Sequence, residues 1–275
     1  MNVVTDVSAT RRSIVTLGLC LSFALLSVAV DAQVRAVNQL VPPSFLSPSG
    51  FVSLGRAGYA MYPNGGVSCY DLDSKSFRVM RTPLNSFARE LLSTDDVLWL
   101  LSAEGLLFFS NGRDDDWQVI VGKFDRAFLS QSQGLFLLGN QIVYRVKRIG
   151  ESFVTDSIGS IPTASDVSCF AVRSDTILYA LKGEEGCHYF AGGRDVAVKA
   201  GPGVEYALQM YDNGRAGILV LSANSQLGLI SGPLSEPSTN LSAQLGLTFV
   251  QSISRGTSGG KPAHGILASE GGGIS

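Results

Sequence analysis

The feature that most constrains this chain is a unit that recurs about every forty residues. Its clearest copy is Leu98-Trp99-Leu100-Leu101-Ser102-Ala103-Glu104-Gly105-Leu106-Leu107-Phe108-Phe109: an aromatic-apolar run, a turn, then a second apolar run. Leu135–Leu138 with Gln141–Tyr144 repeats it, as do Ile177–Leu181 with His188–Phe190 and Gly217–Leu221 with Leu227–Ile230. Tyr59–Tyr62 with Val67–Tyr70 is an upstream copy, and Gly265-Ile266-Leu267 a faint sixth. With Tyr59, Trp99, Phe136, Tyr179, Leu219 and Leu267 as markers, the gaps are 40, 37, 43, 40 and 48 residues. The segments are short, rich in β-branched and aromatic residues, and divided by Gly, Asn, Asp and Ser, which is the pattern of strands and turns rather than helices. A period near 40 that carries about four strands is that of a propeller blade.

Two further strands fit into each unit. Trp117–Val121 reads as an outer strand, and Asp125–Ser130 returns toward the ring centre before the Phe136 strand. The same order recurs at Phe153–Ile158 with Val167–Val172, at Val196–Lys199 with Val204–Met210, and at Ser76–Met80 with Ser86–Leu92. The expectation is an all-β chain: a β-propeller over residues 33–275, of six four-stranded blades, with the last incomplete because only eight residues follow Leu267. Val34–Leu40 is the expected outer strand that closes the ring, since closure removes exposed sheet edges.

The stretch Trp117-Gln118-Val119-Ile120-Val121-Gly122, Gly134-Leu135-Phe136-Leu137 and Gln141-Ile142-Val143-Tyr144 resembles the tectonin repeat. It is similar to that family's outer-strand Trp and Gly, third-strand aromatic and fourth-strand Ile-Tyr pair. The resemblance covers about residues 50–230, with Phe77 and Phe153 in place of the Trp in other units. It implies a six-bladed, secreted or cytosolic propeller of a kind that includes lectins for microbial surface glycans.

The N-terminus reads as targeting. Arg11 and Arg12 precede an apolar run from Ile14 to Val30, and Ala32 ends an acceptable cleavage site. As a helix that run would span about 26 Å, short against a hydrocarbon core of about 30 Å. Residues 1–32 are therefore expected to be a signal peptide. The expected location is secreted or extracellular, or periplasmic in a bacterium, with no stable membrane insertion after removal. Thr10-Arg11-Arg12-Ser13 also resembles a twin-arginine signal. Asn240-Leu241-Ser242 is a glycosylation sequon in a eukaryotic host. Beyond the leader the chain keeps Cys69, Cys169 and Cys187, expected as buried free thiols.

Charge and motifs narrow the function. Twenty-one basic and 23 acidic residues give a net charge of −2, which offers no electrostatic case for nucleic acid. His188 and His264 are the only histidines, and neither has a partner at metal-ligand spacing. Cys187 and His188 are neighbours on a strand, so they point to opposite faces. Asp71-Leu72-Asp73-Ser74 begins like a calcium loop, but Lys75 and the missing glycine favour a solvated hairpin turn. No Gly-x-Ser-x-Gly elbow or phosphate loop is present. Inner-strand carboxylates are few: Glu90, Asp125, Asp166 and Glu205. The chain is thus expected to be no enzyme and to need no cofactor or metal.

One loop offers a binding chemistry. Arg113, Asp115 and Trp117 could hydrogen-bond sugar hydroxyls and stack on a pyranose face; the competing expectation is a turn whose Trp packs between blades. Trp99, Phe136 and Tyr179 recur once per unit and are expected in the core. The leading expectation is a carbohydrate-binding, lectin-like propeller whose partners are glycans. The alternative is an extracellular sensor or adhesion propeller that binds surface proteins.

Overall fold

A computed structural model describes residues 50–62, 66–80, 82, 88–94, 96–112, 116–163, 166–214, 217–231, 238–247, 249–258 and 261–269, the last two segments and Phe249 by backbone alone except at Val250. The expected closing strand at Val34–Leu40, the Ala32 site, Arg113 and Asp115 lie outside these residues.

The first blade holds β1 (Gly50–Leu54), β2 (Ala57–Met61), β3 (Val67–Asp71) and β4 (Ser76–Met80). The second holds β5 (Ala88–Ser93), β6 (Leu98–Ser102), β7 (Leu107–Ser110) and β8 (Gln118–Ile120). The third holds β9 (Arg126–Ser130), β10 (Gly134–Gly139), β11 (Ile142–Ile149) and β12 (Ser152–Ser160). The fourth holds β13 (Val167–Arg173), β14 (Thr176–Leu181), β15 (Cys187–Ala191) and β16 (Arg194–Val198). The fifth holds β17 (Ala207–Asp212), β18 (Ile218–Ser222), β19 (Leu227–Ile230) and β20 (Thr239–Asn240). Every blade is an antiparallel meander in chain order, and its first strand is innermost, packed on the first strands of neighbouring blades. The expected outer and inner strands from Ser76 to Met210 are thus present, and β1 is an inner strand that the repeat pattern had not marked.

The blade count differs from expectation: among the described residues there are five four-stranded blades, not six. After β20 comes one helical turn, α1 (Leu241–Leu245), capped by the Asn240 side chain and by Gly246 at φ +68°. Two long strands follow, β21 (Phe249–Ser258) and β22 (Lys261–Ser269). The sixth marker, Leu267, lies on β22, where its backbone pairs with Ser252. Among the described residues this unit therefore contributes two strands. β21 pairs in parallel with β1 at Val52↔Arg255, and the hairpin joins the first blade's sheet, fixing the seam of the ring.

The core sits between blades. Trp99, Phe136 and Tyr179 are each at most 2% exposed, as expected for residues that meet a need recurring once per blade. Trp99 meets Phe153 of the third blade's outer strand edge-on at 4.7 Å, and its Nε1 donates to Thr94 Oγ1 at 3.1 Å. The turn Ser102–Leu106 is repeated at Ser222–Gln226: each serine accepts the main-chain N–H four residues on, at 3.0 and 3.1 Å. Asp71 closes its turn by accepting from the Asp73 and Ser74 N–H groups at 2.9 and 2.8 Å, which agrees with a hairpin turn.

Candidate functional site

All five inner strands begin at one end of the axis, and that end is the mouth. Its rim is cut by β-bulges. In β5 the pairing skips Arg89, in β13 it skips Ser168, and in β17 it skips Leu208. A bulge leaves one residue unpaired and re-aims its side chain. The three bulged side chains then do different things.

Arg89 and Ser168 tie blades together. Arg89 donates to the Asp125 carbonyl at 2.7 Å, in the third blade. Arg126 donates through Nε to the Ser168 carbonyl at 2.7 Å, in the fourth. The Ser168 hydroxyl donates to the Ala207 carbonyl at 2.8 Å, in the fifth. Glu90 accepts the Ala127 N–H at 2.9 Å. Burial pushes the Glu90 carboxyl up to about 7, against the lowering pull of that N–H and of Arg126 and Arg89. Burial likewise pushes the Cys169 thiol up to about 12 and the Tyr211 hydroxyl upward, with Glu90 adding to both.

Leu208 ties nothing. It is 51% exposed, and Tyr206, two residues earlier, is 39% exposed. Tyr206 is held at φ +47°, a left-handed conformation unusual for a bulky side chain. Its carbonyl accepts the Ala223 N–H at 3.0 Å, and the next carbonyl is the one bound by Ser168. The neighbouring blades therefore fix the backbone on both sides of an exposed aromatic.

At the opposite end of the axis the third and fifth blades are tied together. Ser130 Oγ and the Gln131 N–H of the third blade both donate to Asp212 Oδ2 of the fifth, at 2.8 and 2.6 Å. The inner strands β9 and β17 touch directly.

The expected site residues distribute as follows. Trp117 is half-buried and packs against the apolar cluster between the first two blades, on the side that includes Val52, Tyr59 and Leu98. Gly112, at the start of its loop, is clamped by Tyr59 Oη at 2.8 Å and Arg78 at 2.6 Å. Its φ is +75°, and a Cβ there would meet Tyr59 Oη at 2.4 Å. Of the four inner-strand carboxylates, Glu90 lies on β5 and bonds across to the third blade, while Asp125, Asp166 and Glu205 all stand at the mouth, just ahead of β9, β13 and β17. His188 is partly buried, stacked on Tyr179 at 5.0 Å and set 3.5 Å from Asp195 and 3.6 Å from Glu184. Cys187 points the other way, into the core. Asn240 caps α1, and its Nδ2 donates to the Pro202 carbonyl at 2.7 Å. Cys69, Cys169 and Cys187 are free and buried. Among the described residues, no group of three or more His, Cys, Asp or Glu side chains could hold a metal ion, and no helix is long and apolar enough to cross a membrane.

The residues the sequence had not marked are Tyr206 and Leu208. The signal was present as two exposed-size apolar side chains on either side of Ala207, at the entry to an inner strand, but only the bulge shows that they face solvent.

No protein-family model matches the sequence, and no curated protein matches it. Solved structures do. YCF48 from Cyanidioschyzon merolae superposes with a TM-score of 0.55 at 9% identity, covering 82% of this chain and 81% of that one. The N-terminal domain of Nup159 gives 0.53 at 12%, covering 79% and 72%. YCF48 bound to D1 peptide gives 0.54 at 9%, covering 78% and 73%. These chains are β-propellers, and at such identities the likeness shows the fold alone: this chain is a β-propeller.

Proposed function

We propose that this chain is a protein-interaction propeller that binds an extended segment of a partner at the mouth of its axis, without catalysis. The observation that carries the reading is the pair Tyr206 and Leu208: two large apolar side chains, exposed at the mouth, on a backbone that the adjoining blades hold in a bulge and a left-handed turn. Strained backbone that its surroundings over-determine is concentrated at ligand sites, and aromatic anchors supply much of the energy at protein interfaces. One of the propellers that this chain is similar to carries a bound peptide. The lectin reading has less support. Its central residue, Trp117, packs on the core between blades, and only two repeat units match the tectonin pattern well. The dibasic start and apolar run of residues 11–30 support export, and with it a partner met outside the cytoplasm.

The test is selection of a displayed random-peptide library against the purified protein, with a Tyr206→Ala/Leu208→Ser variant as the control. The reading expects enriched peptides that bind the protein and lose at least tenfold in affinity on the variant. Peptides that bind both forms equally, or failure to enrich any, would remove the mouth as the site. A glycan array run alongside distinguishes the lectin reading, which expects density-dependent binding that Trp117→Ala abolishes.

A further inference from the structure

We infer that the segment taken at the mouth is cationic, an apolar anchor flanked by lysine or arginine. This rests on the interaction reading above and adds the partner's charge. The apolar pair lies in the sector of blades four and five, and the loops that border it there are acidic. The β14–β15 turn carries Glu184 and Glu185, both exposed, with Lys182. The Lys182 N–H donates to the Asp166 carbonyl at 2.9 Å, which puts that turn beside Asp166 at the same end of the blade. Asp166 leads into β13, whose bulged Ser168 binds Ala207, between Tyr206 and Leu208. Glu205 precedes Tyr206 directly, and Lys199 starts that loop. The next loop on the far side, Ala223–Gln226, has no charge and donates the Ala223 N–H to Tyr206. Nor does α1.

Around Tyr206 and Leu208, among the described residues, these loops thus hold four carboxylates against two ammonium groups. The nearest guanidiniums compensate only in part. Arg126, whose Nε reaches the Ser168 carbonyl, adds one positive charge beside this sector and so narrows the excess of carboxylates without cancelling it, while Arg89 is held further round the rim on the carbonyls of Asp125 and Ala103. An apolar anchor bordered by an excess of one sign of charge favours a partner of the opposite sign, chiefly through the rate of encounter and the rejection of wrong partners. The Tyr206 ring also offers its face to a cation. An acidic segment would meet like charge on three sides.

The test uses three fluorescein-labelled peptides with one apolar core, flanked by lysines, by glutamates or by serines, titrated by anisotropy against the full chain. The inference expects the lysine peptide to bind at least tenfold tighter than the glutamate peptide, with the serine peptide between. It expects that advantage to shrink severalfold between 50 and about 500 mM salt, since exposed charges are screened. It expects the advantage to shrink also in a Glu185→Gln/Glu205→Gln variant, whose melting curve checks that the fold is kept. Equal binding of all three peptides, lost on Tyr206→Ala, would overturn the charge preference and leave the interaction reading standing. A preference for the glutamate peptide would overturn it likewise. No binding by any of the three would count against both.

Discussion

Glu90 Oε2 accepts the Ala127 N–H across the junction of the second and third blades, at 2.9 Å. That carboxyl makes the ring's stability depend on pH. Its folded value, about 7, stands above its ordinary 4.5, so the folded state holds the proton more tightly than the unfolded chain does. The stability this confers is full below pH 4.5 and is lost as the pH rises to 7. The difference is about 3 kcal/mol. Glu90→Gln keeps the acceptor and removes the titration. Denaturant melts at pH 5 and pH 8 should show a drop in the parent that the variant lacks, with the variant the more stable of the two at pH 8.

Tyr206 is expected to cost the fold stability. Asparagine tolerates the left-handed region where a tyrosine is strained. Tyr206→Asn should therefore raise stability by up to about 1 kcal/mol while weakening peptide capture, a trade between stability and function. A variant that melts lower than the parent would show that the ring of Tyr206 packs rather than waits for a partner.

The two tryptophans should separate by consequence. Trp99 is 2% exposed and wedged against Phe109 and Phe153. Trp99→Ala should destabilise by about 3–5 kcal/mol. Trp117 is only half-buried, and Trp117→Ala should cost less than half of that. Chemical denaturation of the two variants side by side checks the ranking.

Cys169 and Cys187 flank Ala180 in one row of the fourth blade: Cys169 pairs with Ala180, and the register that sets Tyr179 opposite His188 sets Ala180 opposite Cys187. Two strand spacings part them by about 10 Å, beyond the roughly 7 Å that a disulfide allows. Burial pushes both thiols upward. A thiol reagent should leave both untouched in the folded protein and titrate them once denaturant is added. Prompt modification of either, or a disulfide by mass spectrometry, would contradict this row.

Gly139 is where the loop before β9 crosses a strand. A Cβ there would sit 2.1 Å from the Lys123 carbonyl, which is backbone and cannot swing aside. Gly139→Ala should destabilise by about 1–3 kcal/mol, measured by thermal melt, and Gly159→Ala, whose Cβ would meet only Ile177 Cδ1 at 3.4 Å, makes the comparison.

Much of the ring was legible because a blade's demands are local and recur. The aromatic of each second strand must fill the gap to the next blade, so Trp99, Phe136 and Tyr179 announced both themselves and the period. Turn chemistry at Ser102–Leu106 and Ser222–Gln226 marked where strands reverse. The sixth copy misled for the same reason: Gly265-Ile266-Leu267 has the composition of a second strand, and composition does not state how many strands follow it. The sugar-binding expectation fixed on Trp117 because an aromatic beside carboxylates looks the same in sequence whether its ring is offered to solvent or laid on a neighbouring blade.

By itself, then, the sequence determined the all-β class, the forty-residue repeat, the strand order within a blade and the residues between blades, since each follows from hydrophobic period and turn chemistry within one unit. Only the tertiary structure decided that the described residues make five four-stranded blades and that the last hairpin pairs sideways with β1, because closure depends on how neighbouring units twist and meet. It alone turned Tyr206 and Leu208 outward and gathered Asp166, Glu184, Glu185 and Glu205 around them. Those residues come from separate loops of the fourth and fifth blades, and the packing of one blade on the next, with the bulge that leaves Leu208 unpaired, is what brings them to one end.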